Sequence, residues 1–190
     1  MGYSSFEHLL VPEVDPAPGA DYLWAHGFRL VQGGAGHVGF QSAGGDKRAI
    51  FLIEGGHAVA GDSMGNGSSI QFPWKAGGEY ALRVWTDDPG WWTAVVQDQN
   101  DGREAQIGRI QVPGDWRRLT SWSVMSTEYL GAPLVSCDGL PRSSVVFGEP
   151  TANDGRVTPE RSSNRLGDGS CEMSWVESVG QGVRHQMGSL

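Results

Sequence analysis

Apolar and polar residues alternate with a period of two along much of this chain. The alternation is clearest in SSIQFPWKAGGEYALRVWTDDPGWWTAVVQD, which spans residues 68–98. Residues Tyr80 to Thr86 point alternately to opposite faces, as in a half-buried strand. The turn Asp87-Asp88-Pro89-Gly90 then leads into an aromatic and β-branched arm, Trp91 to Asp98. The pattern predicts a β-hairpin around which the core is built.

The rest of the chain consists of short β-type segments separated by Gly, Pro, Asn and Asp, without a sustained helical period. This pattern predicts an all-β fold, an antiparallel β-sandwich of the jelly-roll or concanavalin-like type. Residues 1–20 contain three prolines and predict an extended N-terminal arm, with at most an edge strand at Glu7 to Val11. Residues 21–190 predict a single sandwich domain, and a domain of this size buries about 70% of its unfolded surface.

One motif in the central segment resembles a known family. The run F-P-W-K-A-G-G-E-Y at 72–80 is similar to the Y-P-W-K-A-G-x-x-Y signature of a bacterial family, domain of unknown function 3472. The segments at 36–41 (GHVGFQ) and 47–53 (KRAIFLI) resemble two further strands of that family. The chain departs from it at 54–57, where relatives have a tryptophan, and at 64–67, where they have a glutamate. The resemblance implies the family's fold and an occurrence among secreted proteins. It implies no established chemistry.

The charge of the chain limits its partners. The formal net charge is −8, and Lys47 and Lys75 are the only lysines. Nucleic acids and anionic membranes attract clustered Lys and Arg, so neither is predicted as a partner. A glycan or small-molecule ligand is predicted instead, and no cofactor is required.

The predicted location depends on the ends of the chain and on its cysteines. The N-terminus has no basic and apolar segments of the signal-peptide type, which predicts a cytoplasmic protein. Removal of a signal segment from a secreted protein would leave the same sequence. Cys137 and Cys171 are 34 residues apart and have no metal-ligand spacing. Two free thiols are typical of a cytosolic protein, and one disulfide is typical of an exported one.

The segment from Glu54 to Ser69 is rich in glycine and predicts a long loop. Asp62 and Asn66 carry the hard oxygen ligands that calcium prefers, so a structural calcium site is one interpretation. A plain flexible connection is the alternative, and it requires no ligand.

The same loop supplies the candidates for catalysis. His57 is a candidate general base, Glu54 could orient it, and Glu149 is a further acid–base candidate. The sequence contains no nucleophile elbow and no zinc-type histidine spacing. A small enzyme that acts on a metabolite or glycan is therefore the alternative hypothesis, and these histidine and glutamate positions have ordinary structural uses as well.

Tryptophan-rich strands make carbohydrate binding the leading hypothesis. Trp91 and Trp92 are adjacent, so in a strand one faces the core and the other faces outward. An outward indole can stack on a sugar ring while neighbouring polar groups bind the hydroxyls. The candidate ligand-binding residues are Trp91, Trp92, Trp85, Arg83 and Asp98.

Overall fold

A computed structural model describes residues 2–59, 61–158, 163, 166 and 171–188. Two sheets, in which all strand pairings are antiparallel, pack around one apolar cluster, which confirms the predicted all-β sandwich. Over the described ranges, the only helical element is a 3-10 turn at Cys137–Gly139. In the same ranges, no helix is long and apolar enough to cross a membrane.

The smaller sheet has six strands in the order β11-β2-β3-β4-β7-β6. In chain order these strands are β2 (Tyr22–Leu30), β3 (Ala35–Ala43), β4 (Asp46–Ile53), β6 (Asp62–Met64), β7 (Gly67–Gln71) and β11 (Leu119–Tyr129).

The larger sheet has nine strands in the order β14-β15-β12-β1-β8-β9-β10-β5, with β13 paired to β1 beside this path. In chain order these strands are β1 (Ser5–Pro12), β5 (His57–Ala58), β8 (Tyr80–Asp88), β9 (Trp91–Asp98), β10 (Glu104–Gln111), β12 (Ser143–Gly148), β13 (Thr151–Ala152), β14 (Trp175–Val179) and β15 (Gly182–Met187).

The N-terminal segment is not an arm, and this part of the prediction is wrong. Residues Ser5–Pro12 form β1, which lies inside the nine-stranded sheet between β8 and β12. Every second side chain of this strand points into the core and is buried: Phe6, His8 and Leu10. The strand is therefore part of the core. Pro12 ends the strand, so the prolines break no pairing within it.

The predicted central hairpin is confirmed as β8 and β9. Tyr80, Leu82 and Val84 are buried on the inner face, together with Trp92. The register shifts between Trp85 and Asp88, where the strands enter the turn. The alternation read from the sequence therefore gives the correct face for the core residues of both arms.

The signature-like run at 72–80 forms a structural corner. Trp74 is 1% exposed and stacks on Phe40, with ring centroids 5.9 Å apart. The Tyr80 hydroxyl accepts a hydrogen bond from the Lys75 amide at 2.9 Å. Gly77 has φ of 74°, in the left-handed region that glycine adopts without strain. The residues of this motif thus close the core, as predicted for Trp74.

Two regions are more ordered than their composition suggests. The glycine-rich segment contains β5 and β6, two short strands that join different sheets, before it enters β7. Cys137 and Cys171 form a disulfide, which links the 3-10 turn to the segment before β14. The interpretation with free thiols is therefore wrong for this structure.

Candidate functional site

A cleft of about 380 Å³ lies on the outer face of the nine-stranded sheet. We call it the Arg83 cleft. β1 contributes Ser5 and Glu7, and β8 contributes Arg83, which is the direct cross-strand partner of Glu7. Its lining residues are Ser5, Phe6, Glu7, Arg83, Thr151, Asp154 and Gly155.

The wall opposite β8 is a turn with an uncommon backbone. Asn153, Asp154 and Gly155 have φ of 51°, 58° and 78°, so three consecutive residues are left-handed. This conformation costs L-residues about 1–2 kcal/mol each, with Asn and Asp the most tolerant. Such strain persists only where surrounding contacts hold it, and it concentrates at functional sites.

Hydrogen bonds from the start of β1 hold this turn. The Asn153 side-chain oxygen accepts from the Ser4 amide at 3.0 Å, and the Asn153 amide donates to the Ser5 carbonyl at 3.1 Å. Arg83 donates to Asp154 at 2.9 Å across the cleft. The turn therefore presents the Asp154 carboxylate to the Arg83 guanidinium.

The electrostatics of the cleft are those of an exposed surface. The Arg83 and Asp154 side chains are exposed, so their ion pair contributes on the order of 0–1 kcal/mol to stability. Within the described ranges, no hydrogen bond or ion pair engages the Glu7 carboxylate. The cleft thus contains two carboxylates and one guanidinium that contribute little to the stability of the fold.

The tryptophans beside the cleft are stacked with arginines. The Arg83 guanidinium carbon is 5.2 Å from the centroid of the Trp85 ring, and that of Arg109 is 4.6 Å from the Trp91 ring. Both indoles are half-buried. Guanidinium–indole stacking is favourable, so a ligand has to compete for these ring faces or use the ring edges. The outer face is therefore a mixed Arg–Trp layer and not a bare aromatic shelf.

Trp91 and Trp92 face opposite sides, as the strand period requires. Trp92 is 0% exposed, and its indole nitrogen donates to the Trp116 carbonyl at 2.8 Å. Trp92 therefore contacts no surface ligand, and its place among the ligand-binding residues is wrong. Trp91 lies outward.

Asp98 does not join the ligand-binding residues either. Its carboxylate accepts from the Asn100 amide at 2.9 Å and from the Asn100 side chain at 2.8 Å. These hydrogen bonds lower the pKa of Asp98 and mark it as a turn residue. Asp98 pairs with Tyr80 in the β8–β9 register, and its position in the strand places it on the same face of the sheet as Trp92. Arg83 lies on the opposite face.

Glu149 is not brought together with the other two catalytic candidates. His57 lies on β5, and Glu149 follows β12 on the other side of the same sheet. Four strands lie between β5 and β12, a separation of about 24 Å at the usual strand spacing. Glu54 follows β4 in the other sheet, and among the described residues no hydrogen bond or ion pair joins it to His57.

A different histidine lies near carboxylates. His37 on β3 has Val38 as an inward neighbour, so its side chain lies on the outer face of the six-stranded sheet. Burial lowers the pKa of His37, and the carboxylates of Glu128 and Glu54 act in the opposite direction. The sequence pattern did not separate His37 from the other histidines, because Glu128 comes from a strand far along the chain.

The predicted calcium ligands are engaged elsewhere or exposed. The Asp62 carboxylate lies 3.3 Å from the Arg48 guanidinium, and Arg48 also donates to Ser69 at 2.7 Å. In the part of the chain that the structure describes, no group of three His, Cys, Asp or Glu residues could hold a metal ion. Calcium binding by Asp62 and Asn66 stays a prediction that rests on backbone carbonyls as further ligands.

Sequence reasoning missed two parts of the Arg83 cleft. Glu7 lies in the predicted N-terminal arm, at the start of its possible edge strand, and its polar position in an alternating segment indicates an outward side chain. The Asn153-Asp154-Gly155 run is a recognisable turn signal, but its contact with Arg83 spans 71 residues of sequence. Local pattern alone does not predict that contact.

Comparison with known proteins identifies the architecture. Scytalido-glutamic peptidase with a peptide-based transition state analogue is 12% identical with a TM-score of 0.61, and the match covers 98% of this chain and 93% of that one. The chain shares its fold with this peptidase. SCP-B, a member of the eqolisin family of peptidases in complex with the tripeptide Ala-Ile-His, is 11% identical with a TM-score of 0.60 and coverages of 98% and 92%. No protein-family model and no curated protein matches the chain.

Proposed function

We propose that this chain is a carbohydrate-binding β-sandwich domain and that the Arg83 cleft is its binding site. The observation that carries the proposal is the left-handed turn at 153–155, which is anchored to β1 and holds Asp154 against Arg83, opposite Glu7. A strained turn that positions an exposed ion pair serves stability poorly, and a ligand explains it better.

The groups in the cleft match the chemistry of a sugar. Carboxylates of Glu7 and Asp154 accept hydrogen bonds from hydroxyl groups, and the guanidinium of Arg83 donates to hydroxyl oxygens. Trp85 lies beside them, with Ser5 as its cross-strand partner, and offers an indole edge to the apolar face of a ring.

The charge of the cleft favours a neutral glycan. Two carboxylates and one guanidinium give a formal charge of −1 at the cleft. An acidic sugar would meet this negative potential and bind less well. A neutral polysaccharide is therefore the expected ligand class, and an acidic one such as polygalacturonate is the comparison.

Retention on immobilised polysaccharides tests the proposal. R83A is expected to reduce retention on a neutral glycan at least tenfold, because it removes a direct hydrogen-bonding partner. E7Q is expected to reduce it by a smaller factor, because glutamine keeps an acceptor oxygen but loses the charge that strengthens the hydrogen bond. E104Q is the matched control, since Glu104 is exposed on the outer face of the same sheet beside Gln97 and away from the cleft. W175A is a second control, because Trp175 is 40% exposed on an edge strand. Equal retention by R83A and E104Q would contradict the proposal.

Peptide hydrolysis is the second candidate. The likeness to two peptidase structures over 98% of the chain favours it, together with His37 on the outer face of the six-stranded sheet, whose pKa is lowered by burial against the opposing effect of the Glu128 and Glu54 carboxylates. In this case H37A loses turnover of a denatured protein substrate, whereas H57A keeps it. If H57A loses turnover instead, the loop histidine of the alternative enzyme hypothesis is supported. Absence of turnover by the unmodified protein over the acid to neutral range argues for the binding function.

A further inference from the structure

A second cavity adjoins the Arg83 cleft, with which it shares Phe6 and Thr151, and lies between the two sheets at one end of the sandwich. The register of β11 on β2 is interrupted between Leu119 and Ser123, and residues 120–122 line a gap of about 420 Å³ together with residues at and around β13. This volume lies in the range of small-molecule pockets. We call it the His26 gap, because His26 is its one titratable side chain among the described residues apart from a tyrosine.

His26 forms a pair with His8 from the opposite sheet. Both rings are buried, at 1% and 2% exposure, and their Nδ1 atoms are 3.2 Å apart. Among the described residues, neither Nε2 atom has a hydrogen-bond partner. A buried polar atom without a partner costs about 1–3 kcal/mol, so this arrangement calls for an explanation.

The pair has two possible proton arrangements. Burial lowers the pKa of both histidines, so both are neutral at pH 7 and each carries one N–H. In the Nδ1–Nδ1 hydrogen bond one ring donates and the other accepts. If His26 donates, its Nε2 is an acceptor and the Nε2 of His8 carries hydrogen; if His8 donates, the two roles are exchanged.

We propose that the His26 gap binds a small neutral aromatic molecule with one polar oxygen, which hydrogen-bonds to Nε2 of His26. Phe6, Phe28 and Trp122 line the gap and suit an aromatic ring. No charged side chain lines it within the described ranges, so an ionised ligand would be desolvated without compensation. His26 lines the gap and its Nδ1 is engaged by His8, which leaves Nε2 as the ring nitrogen without a partner among the described residues.

The histidine pair adapts to the chemistry of the ligand oxygen. A hydroxyl group donates to an unprotonated Nε2, which selects the arrangement in which His26 donates to His8. A carbonyl group accepts from a protonated Nε2, which selects the reverse arrangement. The number of protons is the same in both, so neutral hydroxyl and carbonyl ligands are both accommodated.

Three probes of similar shape test this site: phenol, acetophenone and toluene. Phenol and acetophenone are expected to bind about three- to tenfold more tightly than toluene, the gain of one hydrogen bond. In proton–nitrogen spectra of the histidine side chains, phenol should move Nε2 of His26 towards the unprotonated form and Nε2 of His8 towards the protonated form. Acetophenone should move both signals in the opposite directions.

Variants separate this site from non-specific binding. Ser121 is exposed at the gap, so S121W should block it and abolish saturable phenol binding without disturbing the core. S136W, at an exposed serine beside the 3-10 turn, should leave phenol binding unchanged. Phenol binding that persists in S121W overturns the proposal. Equal affinities for the three probes with unchanged histidine signals also overturn it.

Discussion

The inner and outer faces of the nine-stranded sheet use the same residue types in opposite ways. On the inner face, Trp92 is fully buried, and the histidines His8 and His185 are held neutral by burial. On the outer face, Trp91 and Trp85 lie under guanidinium groups that remain in contact with water. The difference shows that burial, and not residue type, decides whether a tryptophan supports the fold or is available to a ligand.

The inner face also contains polar contacts between the sheets. His8 meets His26, the Trp24 indole donates to Ser143 at 2.9 Å, and Thr127 lies 3.2 Å from His185. These contacts satisfy buried polar atoms and orient one sheet on the other. The outer-face ion pairs have no comparable role, because water replaces them readily.

The largest expected effect is the difference between the two adjacent tryptophans. W92A should lower the free energy of unfolding by about 3–5 kcal/mol, because it removes a fully buried side chain and leaves a cavity. W91A should cost about 1 kcal/mol or less, since its ring is only half-buried. Chemical denaturation of both variants measures the difference. Similar losses would show that the outer face is as structural as the inner one.

The next effect is acid sensitivity from the inner face. Burial lowers the pKa of His26 and of His185 to about 4 from 6.5 and also lowers that of His8. Near pH 6.5 the histidines of the unfolded chain bind protons, whereas those of the native state stay neutral. The free energy of unfolding therefore falls as pH decreases from about 6.5 towards 4. For fully buried His26 alone the loss amounts to about 3 kcal/mol. Denaturation at several pH values between 7 and 4.5 measures it, and a flat profile would contradict neutral buried histidines.

A smaller acid effect should come from the outer side at lower pH. Burial acts to raise the pKa of Glu13, but hydrogen bonds from Arg184 and Ser144 lower it below 4.5 overall. Its stabilising contribution is present above pH 4.5 and is lost as pH falls below that value. E13Q should therefore remove this loss below pH 4.5 and leave the histidine window unchanged. A change in slope above pH 5 in E13Q would mean that the two faces are coupled.

The smallest expected effect concerns the glycine-rich segment. If Asp62 and Asn66 bind calcium, a chelator should lower the melting temperature and added calcium should restore it. D62N is the matched variant, and it should abolish the response. Because Asp62 already has Arg48 within 3.3 Å, the shift should be at most a few degrees. An unchanged melting temperature under both conditions leaves a plain connection.

Much of the fold follows from local pattern in the sequence. The alternation in β8 and β9 assigns Leu82 and Trp92 to the core, since successive side chains in a strand point to opposite faces. The F-P-W corner and the Asp-Pro-Gly turn are likewise local. Proline restricts, and glycine widens, the range of backbone dihedral angles at its own position. These features depend only on neighbours in the chain.

The candidate sites were decided by tertiary structure. Arg83 meets Asp154 because β13 pairs with β1 and β1 pairs with β8, and no local pattern encodes that order of strands. His26 meets His8 because two sheets pack face to face, in a register that depends on the whole core. Periodicity specifies which face a side chain occupies. Only the packing of distant strands specifies which side chains share that face, and therefore what the face can bind.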